Sequence, residues 1–304
     1  MTLDARTCRL DYRPPLDWEA MLAFLEGRCT AGVEQIEGSV YRRTVRLGRK
    51  TGWISVTRGA GRAALRVEAS RSLAPAGLPL RLQIRLRSLF DLDANPAVVA
   101  AALRRDPLLA PSVRRDPGLR VNGAFDGFET AVRVVLGQQV SVRAATTIAG
   151  RVARALGDPV RTPFPGLDRL PPTAEAVEAA GEDRLARIGM PGARARTLLA
   201  LARAVLSGEL VLARGADPEQ VRERMLALPG VGPWTANLVA MRALGAADAF
   251  PAGDLGVLRA LGTRSAREAE ARAEAWRPWR AYAAMHLWNL PATLRPTRRD
   301  RRTP

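Results

Sequence analysis

Two short stretches hold the residues best suited to chemistry. LPGVGPWTAN, Leu228 to Asn237, sets Pro-Gly-Val-Gly-Pro directly ahead of an apolar segment, and FPAGDLGV further on carries Asp254 in a Pro/Gly-rich loop before another apolar segment. PEQVRERMLAL precedes the first stretch and PWTANLVAMRAL continues it, so the pattern reads as helix, four-residue glycine hairpin, helix, with Pro233 at the first helical position. Backbone amides around Gly230, Gly232 and the first turn of that second helix would lack intrahelical partners. Amides grouped at a helix N-terminus form an anion nest, for which phosphate is a natural ligand. Glycines add no side chains, so a nucleic-acid backbone can approach closely without any base being read. The plain alternative is a tight interhelical turn. Asp254 likewise has two readings. Ahead of a helix, an aspartate is ordinarily an N-cap. Facing a phosphate-binding hairpin, it would be repelled unless a positive centre formed between them, and an oxocarbenium-like sugar is such a centre. Carboxylates in glycoside chemistry stabilise that species or activate the attacking water.

The elements that must position these residues fall into two groups. Asp17 caps a helix in DWEAMLAFLEGR, with Trp18, Met21, Leu22 and Leu25 at helical spacing. From Val33 to Ala69 the pattern changes: Tyr41, Val45 and Leu47, then Ile54 and Val56, then Leu65 and Val67 read as antiparallel strands separated by GRKTG and RGAGR. PLRLQIRLRSLFDL fits either period, and Pro79 with good helix formers behind it favours a helix. Beyond about Leu89 the segments are Ala/Leu/Arg-rich and punctuated by Pro and Gly, as in FDGFETAVRVVLGQQVSVRAATTIAGRVARAL, TAEAVEAAGEDRLARIG and AREAEARAEAWRPWRAYAAMHLWNL. The expected fold is mainly α, with a small N-terminal α/β domain over residues 1–88 built on an antiparallel sheet. An all-helical region follows over 89–295, with the helix-hairpin-helix at about 219–244, and 296–304 is a basic, disordered tail.

Composition narrows the partners. The 304 residues carry a formal charge of +17, a field that attracts polyanions, nucleic acid first and acidic membrane surfaces second; biased codon usage toward arginine is the plain alternative. Lys50 is the single lysine among 47 basic residues, so any chemistry needing an amine has one candidate. Two cysteines, Cys8 and Cys29, are too few for a disulfide framework, a four-cysteine zinc site or an iron–sulfur cluster. One histidine, His286, supplies no zinc set and reads as core packing in YAAMHLW. With no signal-peptide or membrane-spanning run, the expected location is the cytoplasm, at the nucleoid if the source is bacterial.

LPGVGPWTAN followed by PAGDLGV resembles the hairpin and catalytic aspartate of the helix-hairpin-helix DNA glycosylase superfamily. YRPPLDWEAMLAFLEGR, RSLFDLDANP, VNGAFDGFETAVRVVLGQQVSV, RIGMPGARARTL and AEAWRPWRAYAAMHLW resemble its alkylation-repair branch, the 3-methyladenine DNA glycosylase II family, from about Tyr12 to Trp288. The resemblance implies two helical subdomains flanking a DNA and base cleft, a nucleotide flipped out of duplex DNA, and Asp254 assisting cleavage of the N-glycosidic bond. It implies a phosphate grip at Leu228, Gly230, Val231, Gly232, Trp234 and Thr235, and a base pocket of Trp234, Trp288 and Phe24 with Leu238 and Leu255 at further pocket positions. Indole faces suit cationic bases of the 3-methyladenine and 7-methylguanine type. Trp234 stands where bifunctional relatives carry their Schiff-base lysine, which implies a monofunctional enzyme that leaves an abasic site. Gln139 matches a wedge residue that is apolar in some members, and Leu238, Leu255 and Asn289 replace pocket aromatics of others. No cofactor is required; a Na or K ion bound by the carbonyls of Leu226, Leu228 and Val231 is the one ion the resemblance allows. The expected partner is double-stranded DNA containing alkylated bases, met by a monomer. Two other readings are open: a non-catalytic helix-hairpin-helix DNA-binding module, and a glycosylase for other damaged bases such as hypoxanthine.

Overall fold

Seven elements open the chain: β1 (Ala5–Asp11), α1 (Trp18–Glu26), β2 (Glu34–Glu37), β3 (Val40–Leu47), β4 (Lys50–Arg58), β5 (Ala64–Ser70) and α2 (Leu80–Leu89). The computed structural model describes residues 5–290, so the tail expected at 296–304 lies outside the described residues. The strands form one antiparallel sheet in the order β1-β5-β4-β3-β2. Tyr41 pairs with Val56 and Val56 with Val67, a fully buried apolar row across β3, β4 and β5. Trp18, Met21, Leu22 and Leu25 of α1 and Leu82, Leu86 and Leu89 of α2 share one core with that row. Asp17 accepts a hydrogen bond from the Ala20 amide at 2.9 Å, the capping arrangement its position suggested.

β1 is absent from the sequence reading for a physical reason. Of ARTCRLD only Leu10 is buried, so the strand is held by backbone pairing to β5 and carries almost no apolar signal. In α2, Leu80 and Ile84 are exposed while Leu82, Leu86 and Leu89 are buried. The exposed pair produced the apparent alternation, and the buried set follows the helical period.

Among the described residues eleven α-helices follow α2: α3 (Pro96–Leu103), α4 (Ala110–Arg115), α5 (Gly127–Leu136), α6 (Val142–Leu156), α7 (Ala174–Arg187), α8 (Gly192–Leu206), α9 (Pro218–Leu226), α10 (Pro233–Val239), α11 (Leu255–Leu261), α12 (Ala266–Ala273) and α13 (Arg280–Trp288). No helix among the described residues is long and apolar enough to cross a membrane. Helices α5 to α10 enclose a second core, whereas α3, α4 and α11 to α13 enclose a third. The long segment FDGFETAVRVVLGQQVSVRAATTIAGRVARAL divides at Gly137–Ser141, where Gln139 takes a left-handed φ of 55° and Ser141 caps α6 through the Ala144 amide. Helix α10 continues through a π turn at Ala240–Leu244. There Ala240, Ala243 and Leu244 face the second core and Met241 the third, so one helix is shared by both.

Candidate active site

Asp254 sits at the head of α11 as its N-cap, with Oδ1 accepting from the amides of Gly256 at 2.8 Å and Val257 at 3.1 Å. Two indoles complete its shell: Trp288 Nε1 donates to Oδ1 at 2.8 Å and Trp234 Nε1 to Oδ2 at 3.2 Å. Three donors therefore converge on Oδ1, while Oδ2 accepts one and keeps capacity on its open side. An ionised carboxylate is an acceptor-only group, and this set of donors fixes its position and orients both rings about it. Close approach of Trp288 depends on Gly256. A Cβ at that position would lie 2.8 Å from Trp288 Cδ1 and 3.0 Å from Asp254 Oδ1. The capping reading of Asp254 holds, and the same cap presents the carboxylate to the two rings.

The proposed pocket residues come from all three cores. Phe24 of α1 packs against the first and third, Trp234 against the second, Trp288 against the third, and Leu238 against the second and third. Phe24 and Trp288 face each other with centroids 6.2 Å apart and planes 23° off parallel. Leu255 does not join them: it projects from the head of α11 and is 67% exposed. Asn289 is turned away as well, its Nδ2 bonded to Asp116 at 2.7 Å. Trp276 is buried against Phe250 and donates to Asp106, and Trp279 packs edge-on against Tyr282.

Directly ahead of Trp234, Leu228, Pro229, Gly230, Val231 and Gly232 form the turn between α9 and α10. Gly230 has φ +75°, and a Cβ there would meet Thr197 Oγ1 at 2.4 Å, so the position excludes any side chain twice over. The turn is buttressed from behind. Thr197 donates to the Pro229 carbonyl at 2.8 Å, and Gln138 Nε2 donates both to the Gly230 carbonyl and to Thr235 Oγ1 at 2.9 Å. Val231 and Thr235 direct their side chains inward, and the Val231 amide bonds the Leu228 carbonyl at 3.2 Å. No protein acceptor meets the amides of Gly230 and Gly232 among the described residues, and α10 has no side-chain cap. These are donors left facing outward at the head of a helix.

Gln139 is exposed at the α5–α6 turn, flanked by Val140 and Val142, which are 37% and 46% exposed. Its neighbour Gln138, which nothing in its residue type or spacing sets apart, is the glutamine that holds the hairpin, and Arg194 in turn donates to the Gln138 carbonyl at 2.7 Å. Arg28 also escaped the sequence reading, although its guanidinium carbon lies 3.8 Å from the Phe24 ring centroid. Lys50 is exposed at the start of β4, in the sheet. His286 is buried, its Nδ1 within 3.0 Å of Ser112 Oγ, and burial pushes its pKa down to about 4. Cys8 and Cys29 are half-buried, and burial raises their thiols to about 11 and about 12. Among the described residues no group of three or more His, Cys, Asp or Glu side chains could hold a metal ion.

Comparison with known proteins places this geometry in company. Residues 7–126 match the model of the AlkA N-terminal domain, and residues 132–281 that of the HhH-GPD superfamily base excision DNA repair protein. The chain is 41% identical over 286 residues to a Mycobacterium tuberculosis protein described as a probable bifunctional transcriptional activator/DNA repair enzyme AlkA, a match that takes in 92% of this chain and 56% of that one. It therefore spans about half the length of that relative. It is 35% identical over 284 residues to the DNA-3-methyladenine glycosylase 2 of Escherichia coli, covering 92% of this chain and 95% of the relative. In fold it matches a 3-methyladenine DNA-glycosylase from Archaeoglobus fulgidus, with a TM-score of 0.79 at 24% identity over 93% of this chain and 97% of the other.

Proposed function

The chain belongs to the 3-methyladenine DNA glycosylase II family of the HhH-GPD superfamily, and on that premise we propose that it is a monofunctional DNA N-glycosylase acting on alkylated bases of the 3-methyladenine and 7-methylguanine type in duplex DNA. The observation that carries this reading is the Asp254 carboxylate, fixed by the N–H groups of Trp234 and Trp288 and by the head of α11. The same rings that would stack on a flipped base hold the charge that would stabilise the sugar as the base departs.

In the reaction the C1′–N bond breaks, the base leaves with the bonding electrons, and positive charge grows on the sugar. Asp254 opposes that charge from a position it need not reorganise to reach. Water then adds to C1′ and loses one proton, and the open side of Oδ2 is the place on this carboxylate able to take it, since Oδ1 already accepts three donors. Charge stabilisation is the principal role the geometry supports. Base removal without strand nicking follows from Trp234 in the hairpin and Lys50 in the sheet, because a Schiff base needs an amine at the sugar.

DNA is held through the hairpin, whose outward amides at Gly230 and Gly232 suit a phosphate. Carbonyls of Leu226, Leu228 and Val231 are hard oxygen donors suited to Na or K, and would hold such an ion between turn and phosphate. Gln139, exposed on its left-handed turn, can fill the gap left by a flipped base and bond the widowed partner. The protein acts as a monomer in the cytoplasm, at the nucleoid if the source is bacterial. The test is release of free base from methylated duplex DNA, with borohydride added in a parallel reaction. Release without a trapped protein–DNA adduct is expected; a trapped adduct would make the enzyme a lyase.

A further inference from the structure

Two turns far apart in the chain are joined by one side chain. Gln138 lies in the turn between α5 and α6, directly before Gln139 with its left-handed φ of 55°. Its Nε2 donates at 2.9 Å to the Gly230 carbonyl of the hairpin and at 2.9 Å to Thr235 Oγ1 in the first turn of α10. A carbonyl oxygen only accepts, so the face of the side-chain amide turned to the hairpin is its NH2, and both hydrogens are used there. Arg194 of α8 holds the backbone of the same residue, donating to the Gln138 carbonyl at 2.7 Å. Thr197, one turn further along α8, donates to the Pro229 carbonyl of the hairpin at 2.8 Å. The α5–α6 turn, the hairpin and α8 are thus linked pairwise. Among the described residues no other hydrogen bond joins the α5–α6 turn to the hairpin or to α10.

One plain explanation is that Gln138 only braces the hairpin. Thr197 already does that from α8, without help from the α5–α6 turn. What Gln138 adds is the place the brace comes from. The residues that follow it, Gln139 to Arg143, are all exposed and include the apolar Val140 and Val142. Extruding a base requires that such a tip enter the stack while a nearby phosphate is held. The hairpin offers that hold through the outward amides of Gly230 and Gly232. The spacing between hold and tip then sets whether the tip meets the gap, and a misplacement of about 1 Å is enough to cost about 10²-fold in rate. Gln138 fixes this spacing from the residue next to the tip. Its own backbone amide is bonded to the Val135 carbonyl, so it has no donor left for DNA and acts through its neighbours.

We propose that Gln138 is a positioning residue for base flipping, which locks the Gln139 tip to the phosphate hairpin so that gripping the strand sets the tip at the lesion. This rests on the glycosylase reading above and on Gln139 filling the gap, and adds to them the link between grip and tip. The hairpin holds and Gln139 fills. Gln138 keeps the two in register.

The experiment measures single-turnover release of 7-methylguanine from two duplexes, one with the lesion opposite cytosine and one with it opposite an abasic-site analogue, where no partner holds it. Gln138→Met keeps the length of the side chain but has no N–H. Release should fall by about tenfold or more on the paired duplex, as for loss of a register-setting contact. The deficit should nearly vanish on the unpaired one, because an unpaired base costs less to extrude. Fluorescence of 2-aminopurine beside the lesion, which brightens on unstacking, should fall in step with release, while affinity for undamaged duplex is retained. In a Gln139→Ala background Gln138→Met should add little, since the two act as one unit. An equal deficit on both duplexes in a folded Gln138→Met protein, checked by thermal melting, overturns the proposal and leaves Gln138 a brace. Full release from the paired duplex, or full addition of the two losses in the double variant, also overturns it. If Gln138→Met does not fold, Gln138→Glu, of the same shape with an oxygen set against the Gly230 carbonyl, decides by the same comparison. A wild type that releases base from neither duplex would instead refute the glycosylase reading, an outcome distinct from an equal deficit.

Discussion

At the scale of single residues, the site is a carboxylate held by two indoles, and each bond makes a separate prediction. Trp288→Phe keeps an aromatic face but removes the donor at 2.8 Å from Asp254 Oδ1. If orientation of the carboxylate matters, single-turnover base release should drop by about tenfold or more, as for loss of a charge-assisted hydrogen bond, while affinity for damaged duplex changes little. Gly256→Ala should act in the same direction, because its methyl group would enter the space of Trp288 Cδ1. Asp254 was legible as a candidate from its place in the Pro/Gly loop after the hairpin. Its partners were not, since neither indole N–H can be aimed from sequence. Arg28, which lies over the Phe24 ring, was hidden for another reason: among 47 basic residues one arginine has no compositional contrast.

At the scale of elements, the hairpin between α9 and α10 combines a left-handed glycine with support from α8 and from the α5–α6 turn. Gly230→Ala meets a positive φ and the Thr197 hydroxyl at 2.4 Å together. It should cost about 1–3 kcal/mol in urea unfolding and weaken binding to undamaged duplex, measured by fluorescence anisotropy. Lost stability with unchanged affinity would assign the turn a structural role alone. The glycines and prolines announced this element clearly, because backbone chemistry is written in those residue types. The buttress was not announced: Gln138 reaches it from 92 positions away in the chain, and Gln139 stood beside it as an equal candidate. Likewise the α5–α6 break needed the left-handed Gln139, a residue that ordinary propensity leaves inside a helix.

For the whole molecule, the question is why a pocket built from three cores keeps its shape. Arg43 of β3 is buried and bonds Glu129 of α5 at 2.7 Å, with Glu34 at 3.8 Å and the Phe125 ring at 4.2 Å. This cluster ties the sheet, and with it Phe24, to α5, which carries Arg133 and leads into the turn that holds Gln138. Arg43→Met would leave buried carboxylates without their cation, and should destabilise by about 3–5 kcal/mol in chemical unfolding. A second prediction concerns pH. His286 is buried with a folded pKa of about 4 against an ordinary 6.5. Its contribution is fully present above pH 6.5 and is lost as pH falls through 4, amounting to roughly 3 kcal/mol for a shift of that size. His286→Gln, which does not titrate, should flatten the acid side of the stability curve between those values. The mainly helical class and the antiparallel sheet were readable from period and turn residues. The sharing of α10 between two cores was not, because it depends on a π turn that no residue type announces.

The central claim is that Asp254 supplies charge to a reaction while the hairpin supplies binding, and one comparison separates the two. Free base released from methylated duplex DNA is measured for the wild type and Asp254→Asn, with duplex affinity measured on the same samples. Asn keeps the N-cap and much of the hydrogen-bond geometry but removes the negative charge. The expected result is base release by the wild type, a loss of about 10²–10³-fold in the variant, and affinity held within a small factor. Tight binding with no release by the wild type, or equal release by both proteins, would contradict it.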